Sequence, residues 1–326
     1  MRIFIYIVLL IVGFVCLVKG ADIFVSGSSA LARRFKVSGL IIGLTIVALG
    51  TSAPEMAVST VAALQGSNEI ALSNVVGSNI FNLLGVLGVC AVISPLPVDG
   101  MVLKRDFPVT LITTVLLLVI TCASVLFGGR FTDYGFSEEV AVVTRPIGAG
   151  LVLVFIGYIV FILLKSKKSD SDESGEPQKP MWKCVIFILL GLALIIAGGQ
   201  AVVYSAKEIA RAAGMSETLI GLTIVAIGTS LPELVTSTVA AKRGETGMAI
   251  GNAIGSNIFN LLFILGISAL IHPVAVNMAS VYDLLILVFV SGISYLFAFT
   301  SRKIARFEGI LMIMLYAADV VFAIVR

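Results

Sequence analysis

Two carboxylates stand where charge is poorly tolerated. Glu55 closes the phrase GTSAPE (50–55) and Glu233 closes GTSLPE (228–233), each near the middle of an apolar stretch. An ionisable side chain at that depth in a bilayer is costly unless paired, protonated or wetted, so each marks a functional position by default. Helical spacing aligns Thr51, Glu55 and Ser59 on one face, and Thr229, Glu233 and Ser237 on another. Asn74, Ser78 and Asn82 form a third polar stripe at the same spacing, and Asn252, Ser256 and Asn260 a fourth. Four such stripes converge only if their helices pack around one polar site. Its donors are carboxylates, hydroxyls and amides, with no His or Cys. That is the donor set of hard cations such as Ca2+, which take ~6–8 oxygens at ~2.3–2.6 Å. Two carboxylates balance one divalent ion or two monovalent ones, so Ca2+ and Na+ would compete for them.

Proline sharpens the pattern. Pro54 and Pro232 have no N–H to give to the carbonyls of Gly50 and Gly228, so each helix should kink. Carbonyls around Ala48 to Thr51 and Ala226 to Thr229 should then seek other partners, and a desolvated cation is one.

The elements that must position these residues are membrane helices. Of 326 residues, 59% are hydrophobic and 13% charged, too few charges to cover a soluble surface. Runs such as Ile3 to Val18, Val109 to Phe127 and Leu284 to Phe299 approach the ~20 residues that span a bilayer. No period-two alternation suggests a barrel. Gly43 to Gly88 and Gly221 to Gly266 are the same sequence written twice, 29 of 46 positions being identical at a constant offset of 178. Arg33 and Arg211, Ser38 and Ser216, and Pro95 and Pro273 keep the register. The first apolar run therefore matches the run that begins near Met181, and reads as a retained helix and not a cleaved leader.

The expected architecture is all-α and integral to the membrane, with ten transmembrane helices in two five-helix repeats. Residues 1–164 form the first, 165–180 a polar cytoplasmic linker, and 181–326 the second. An odd number of spans inverts the second copy. Lys and Arg agree: 15 fall in loops after odd-numbered spans and 6 on the other side. By the positive-inside rule both termini lie outside. A multi-pass protein of the cell (inner) membrane is expected, with the lipid bilayer as its surroundings.

Other features receive plainer readings. The four cysteines are expected to be buried thiols. Lys19 and Asp22, three apart, read as an intrahelical ion pair, Asn74 and Asn252 as interhelical clamps, and Gly77 and Gly255 as points of close packing. No nucleic-acid stripe, nucleotide motif or hydrolase motif occurs. The chain is therefore expected not to be an enzyme, to use no cofactor, and to need no obligate protein partner.

The paired GTSxPE and GSNIxN motifs resemble the cation/Ca2+ exchanger superfamily, in particular its prokaryotic sodium/calcium exchanger branch. The resemblance spans essentially the whole chain. It implies alternating access, with spans 1 and 6 sliding past the other eight, and exchange of Na+ for Ca2+, usually three against one. By motif match it implies ion ligands at Thr51, Ser52, Glu55, Ser78 and Asn82, and at Thr229, Ser230, Glu233, Ser256 and Asn260. The carbonyls of Ala48, Thr51, Ala226 and Thr229 would join them. Many relatives carry Asp at the position of Asn260; its neutrality here argues against K+ co-transport. A proton-driven Ca2+ exchanger on the same fold is the alternative, and a cation channel a more distant one.

Overall fold

The computed structural model describes residues 2–66, 68–127, 134–165, 180–215, 224 and 226–325. The linker interior, Arg130, Ser216 and most of the approach to GTSLPE lie outside the described residues.

Local signals set the helix boundaries. The first helix, α1 (Arg2–Phe35), ends with Arg33 and Arg34 in its last turn, where cations favour the C-terminal dipole. Ser38 caps the next by accepting the Ile41 amide. That helix, α2 (Gly39–Thr51), breaks at Ser52 and resumes as α3 (Ala53–Leu64) at an angle of 48°. The bend falls where Pro54, in the first turn of α3, forbids a continuous ladder. Then come α4 (68–93), α5 (102–127) and α6 (Arg145–Lys165). In the second half, α7 (Met181–Ala212) is followed by α8 (Ala226–Thr229), α9 (Leu231–Lys242), α10 (Thr246–Ile271), α11 (Met278–Ser301) and α12 (Arg306–Val325). The side chain of Asn277 caps α11 through the Ser280 amide at 2.9 Å.

Among the described residues seven helices are long and apolar enough to cross a membrane, or eight when the bent pair α2–α3 counts as one. The protein is thus a predominantly helical, multi-pass membrane protein. The expected total of ten exceeds that number.

The sequence pattern gave no sign of two short antiparallel ribbons. Leu96–Pro97 pairs with Lys303–Ile304, and Glu139–Val143 with Val274–Asn277. Both tie a loop of one half to a loop of the other.

Counterpart helices pack in opposite directions. Gly13 of α1 abuts Gly198 of α7, Gly20 abuts Gly191, and Gly27 abuts Cys184 and Phe187, so the two run antiparallel. A Cβ on Gly20 would lie 2.9 Å from the Gly191 carbonyl, which explains why glycine lines the seam. A second seam joins α2 to α10, where a Cβ on Gly43 would lie 2.6 Å from the Met248 carbonyl.

One ion pair differs from expectation. Asp22 pairs with Arg243, at the end of α9, and not with Lys19. The arginine comes from a different helix, which spacing along α1 cannot reveal. Both side chains are well exposed, so Asp22→Asn should change unfolding stability by less than about 1 kcal/mol. A shift in thermal midpoint as large as that of a core mutation would refute this. Within α5, Asp106 is fully buried and held by Arg105 (2.6 and 3.0 Å) and by the Tyr158 hydroxyl of α6 (2.9 Å). The four cysteines form no disulfide; Cys90, Cys122 and Cys184 are buried, and Cys16 is half-buried.

The turn after α1 carries strain its counterpart avoids. Lys36 has φ 54°, whereas the equivalent Gly214 has φ 83°. Left-handed backbone costs a residue with a Cβ roughly 1–2 kcal/mol. Lys36→Gly should therefore raise stability by about 0.5–1 kcal/mol, after the added entropy of the unfolded chain is offset. A lower thermal midpoint in the variant would contradict the argument.

Candidate ion-binding site

The break at Ser52 and its mirror at Ser230 place both hydroxyls against the carboxylate of the opposite half. Ser52 Oγ donates to Glu233 Oε1 at 2.7 Å, and Ser230 Oγ donates to Glu55 Oε1 at 2.7 Å. Had the helices run straight, each serine would have followed its own helix face. Ser256 Oγ lies 2.9 Å from Ser52 Oγ and 3.4 Å from Glu233 Oε1. Ser78 Oγ lies 3.0 Å from Ser230 Oγ and 3.5 Å from Glu55 Oε1. Glu55, Glu233, Ser52, Ser230, Asn82, Asn260 and Ser256 are all fully buried, and Ser78 nearly so.

The asparagines brace the helices that carry the carboxylates. Asn74 donates to Ser59 Oγ (2.9 Å) and to the Glu55 carbonyl (3.3 Å), and Asn252 to Ser237 Oγ (2.9 Å) and the Glu233 carbonyl (3.4 Å). These are the interhelical clamps the stripes suggested. Thr51 donates to Asn252 Oδ1 at 3.0 Å, joining the first half to the second.

The backbone at the breaks is less bare than the prolines alone imply. Ser52 N–H donates to the Ala48 carbonyl at 3.0 Å, so that oxygen keeps one partner. Proline removes only the bond to the residue four before it, here Gly50. In the second half the Ser230 amide turns to the Ile227 carbonyl at 3.2 Å and away from Ala226.

Several acceptors remain without a hydrogen bond. Glu55 Oε2, Glu233 Oε2, Thr229 Oγ1, Asn82 Oδ1 and Asn260 Oδ1 are buried and unpartnered. A buried, unsatisfied polar atom costs about 1–3 kcal/mol, and more when charged. A bound cation, or protons on the carboxylates, would relieve such a cluster of oxygens. Among the described residues no three His, Cys, Asp or Glu cluster together. The donor set is therefore two carboxylates and neutral oxygens, which suits a hard cation and not a transition metal.

Asn79 and Asn257 belong to the same cluster and were visible in the sequence only as part of the GSN motif. Asn79 Nδ2 donates to the Asn257 carbonyl and Asn257 Nδ2 to the Asn79 carbonyl, both at 3.2 Å. This reciprocal clamp joins the two halves on their symmetry axis. The helices widen just beyond it, into π-type turns at Asn82–Val86 and Phe259–Ile264. Such wide turns favour functional sites because they re-aim the side chains they carry.

A multi-pass helical membrane protein with a buried, doubly acidic, oxygen-only cage falls in the class of membrane carriers of small cations. Comparison with known proteins gives the family. The sodium/calcium exchanger protein family matches residues 5–164 and again residues 183–325. The sodium/calcium exchanger MaX1 of Methanosarcina acetivorans is 34% identical over 338 residues, covering 96% of this chain and 97% of the relative. The inner membrane protein YrbG of Escherichia coli strain K12 is 36% identical over 275 residues, covering 81% and 79%. A solved structure of the sodium-calcium exchanger NCX_Mj, soaked with Na+ and Ca2+, matches with a TM-score of 0.81 at 33% identity, covering 97% of this chain and 98% of that one. The chain belongs to the sodium/calcium exchanger family, whose members are membrane cation/Ca2+ exchangers and not enzymes.

Proposed function

We propose that this protein is a secondary-active Na+/Ca2+ antiporter that expels Ca2+ in exchange for Na+ at one midplane site. The observation that carries the reading is the mirrored pair Glu55 and Glu233, each fully buried with one carboxylate oxygen unpartnered. Two negative charges balance one Ca2+ or part of a Na+ load, so occupancy by one ion excludes the other. Thr51, Ser52, Ser78 and Asn82, with Thr229, Ser230, Ser256 and Asn260, would complete the oxygen shell, assisted by the carbonyls of Ala48 and Ala226. A Na+ shell draws on many neutral oxygens, which a proton site does not need. That favours Na+ over H+ as the driving ion.

Residues 1–164 and 181–326 act as inverted five-helix halves around this site, ten spans in all. The antiparallel packing of α1 on α7 supports inversion. The protein sits in the cell (inner) membrane with both termini outside and the loop 165–180 in the cytoplasm. The relative YrbG, named an inner membrane protein, and the placement of Lys and Arg support that assignment. At three Na+ per Ca2+, one net charge enters per cycle, worth ~2.3 kcal/mol per 100 mV.

The test is 45Ca2+ uptake into Na+-loaded proteoliposomes diluted into Na+-free buffer of equal pH. Uptake that needs the Na+ gradient, and that is accelerated by an inside-positive potential, is the expected result. Uptake driven only by an imposed pH gradient would make the protein a proton-coupled exchanger instead. Uptake requiring neither gradient would make it a channel.

A further inference from the structure

Strain and charge coincide at the C-terminal end of α11. Arg302 follows its last turn with φ 49°, a left-handed position that glycine usually holds at a helix end. Such backbone is unfavourable for a residue with a Cβ. A ribbon locks it in place: Val98 N–H donates to the Arg302 carbonyl at 2.8 Å, and Lys303–Ile304 pairs with Leu96–Pro97. Arg302 is exposed, and no ion pair among the described residues offsets the strain. An outlier of this kind points to a role outside the fold.

Three further cations gather at the same end. Lys303 and Arg306 belong to the turn into α12, and Lys104 to the first turns of α5. The ring of Phe107, one turn on from Lys104, lies 5.9 Å from that of Tyr295, and Phe299 follows Tyr295 by one turn toward Arg302. The start of α5 thus meets the end of α11. Lys104, Lys303 and Arg306 are exposed and form no ion pair among the described residues. The adjacent acids are turned to the backbone: Asp99 Oδ1 accepts the Met101 amide and Glu308 Oε2 the Ala305 amide, both at 2.6 Å. Arg105 is matched by Asp106. The linker 165–180 holds four lysines and four acids, so it brings no net negative charge. The other end of α11 differs. Its ribbon carries Glu139, and the guanidinium of Arg145 there donates to the carbonyls of Leu270 and Ile271 at 3.2 and 3.3 Å. Apolar surface borders the cationic patch, Phe299 being 60% and Phe307 74% exposed.

We propose that Lys104, Arg302, Lys303 and Arg306 form a binding site for the phosphate headgroup of an acidic phospholipid, whose acyl chains lie against Phe299 and Phe307. The cations supply what an anion needs, and arginine adds a planar fork of donors suited to phosphate oxygens. Basic clusters beside membrane helices attract acidic headgroups in this way. The aromatic border is what distinguishes a lipid from a free phosphate, which would use the cations alone. The ribbon gives the site rigidity, and because its strands come from both halves, a lipid bound there would bridge them. On the topology proposed above, the site faces the cytoplasmic leaflet. Binding itself depends neither on that orientation nor on which ion drives transport.

The test is thermal unfolding of the full-length protein in an uncharged detergent, titrated with dioleoylphosphatidylglycerol or with dioleoylphosphatidylcholine. A lipid that binds the folded protein raises the midpoint in proportion to its occupancy. The parent should respond to phosphatidylglycerol at much lower concentration than to phosphatidylcholine. Arg302→Gly, Lys303→Gln and Arg306→Gln should each raise the phosphatidylglycerol concentration required by roughly fivefold. Arg302→Lys keeps the charge and should retain the response. Lys242→Gln, exposed in the last turn of α9, removes the same charge elsewhere and should leave the response unchanged. Arg302→Gly carries a second expectation: without lipid its midpoint rises as the strain is relieved, so its lost response is not a failure to fold. Equal responses to the two lipids in the parent would overturn the proposal. So would an equal loss in Lys242→Gln, which would mean diffuse surface charge. Displacement of phosphatidylglycerol by inorganic phosphate at constant ionic strength would make this a free-anion site and also overturn it. The readout involves no transport, so its outcome is separate from that of the Na+-gradient experiment.

Discussion

Replacing either Glu55 or Glu233 with Gln is expected to reduce Na+-dependent Ca2+ uptake by at least about 100-fold while leaving the protein folded. The charge and the shape of the side chain can be separated here. Gln keeps an acceptor where Glu55 Oε1 receives Ser230 and where Glu233 Oε1 receives Ser52. The links between the halves therefore survive. One of the two negative charges is lost. Two unit charges ~4 Å apart interact by about 4 kcal/mol at an effective dielectric near 20. At ~1.4 kcal/mol per tenfold, that is several hundredfold in affinity for each unit of charge on the ion, and more for a divalent one. The mirrored geometry makes the two substitutions nearly equivalent. Uptake within tenfold of the parent in either variant, with unchanged thermal stability, would remove that carboxylate from the site.

Gly251→Val should cost about 3 kcal/mol of stability, at the upper end of the overpacking range, and disable transport with it. A Cβ on Gly251 would lie 2.6 Å from the Leu40 carbonyl and 3.0 Å from Gly43 Cα. These are backbone atoms of α2, so no side chain can swing aside, and the helices must separate. The neighbour Asn252 then loses its reach to Thr51, a bond of 3.0 Å. Gly157 is the control, because a Cβ there meets nothing within 4 Å. Thermal unfolding of the detergent-solubilised variants, followed by size-exclusion chromatography, distinguishes them. Equal midpoints for Gly251→Val and Gly157→Val would show that the α2–α10 seam yields more easily than its backbone contacts imply.

The polar stripes were legible because helical periodicity and a constant repeat offset act within one segment at a time. Residues 51, 55 and 59 must share a face if the segment is helical, and the repeat supplies the same fact twice. The proline breaks were legible for the same local reason. What spacing cannot give is the partner across the interface. Nothing in GTSAPE shows that Ser52 turns away from its own Glu55 to bond Glu233. The glycine seams decide which helices meet, and the 48° bend decides which way the hydroxyl points. Asp22 failed as an expectation in the same way: its partner Arg243 is 221 positions away. The reciprocal clamp of Asn79 and Asn257 joins equivalent residues, so it becomes visible only when the halves are placed together. Asp106 is a further example, because an adjacent Arg-Asp pair in the sequence gives no hint that Tyr158 of another helix completes the bonding of the buried carboxylate. The two β-ribbons are too short for any periodicity to show.

The central claim is that one buried oxygen cage, charged by Glu55 and Glu233, serves both ions. Equilibrium 45Ca2+ binding to the purified protein at fixed pH, titrated with Na+ against a constant ionic strength held with choline, tests it directly. The account predicts that Na+ displaces all bound Ca2+, with a Hill coefficient above one, and that saturating Ca2+ restores binding. Ca2+ binding that persists at saturating Na+, or that Na+ lowers only to a plateau, would mean separate sites and would contradict it.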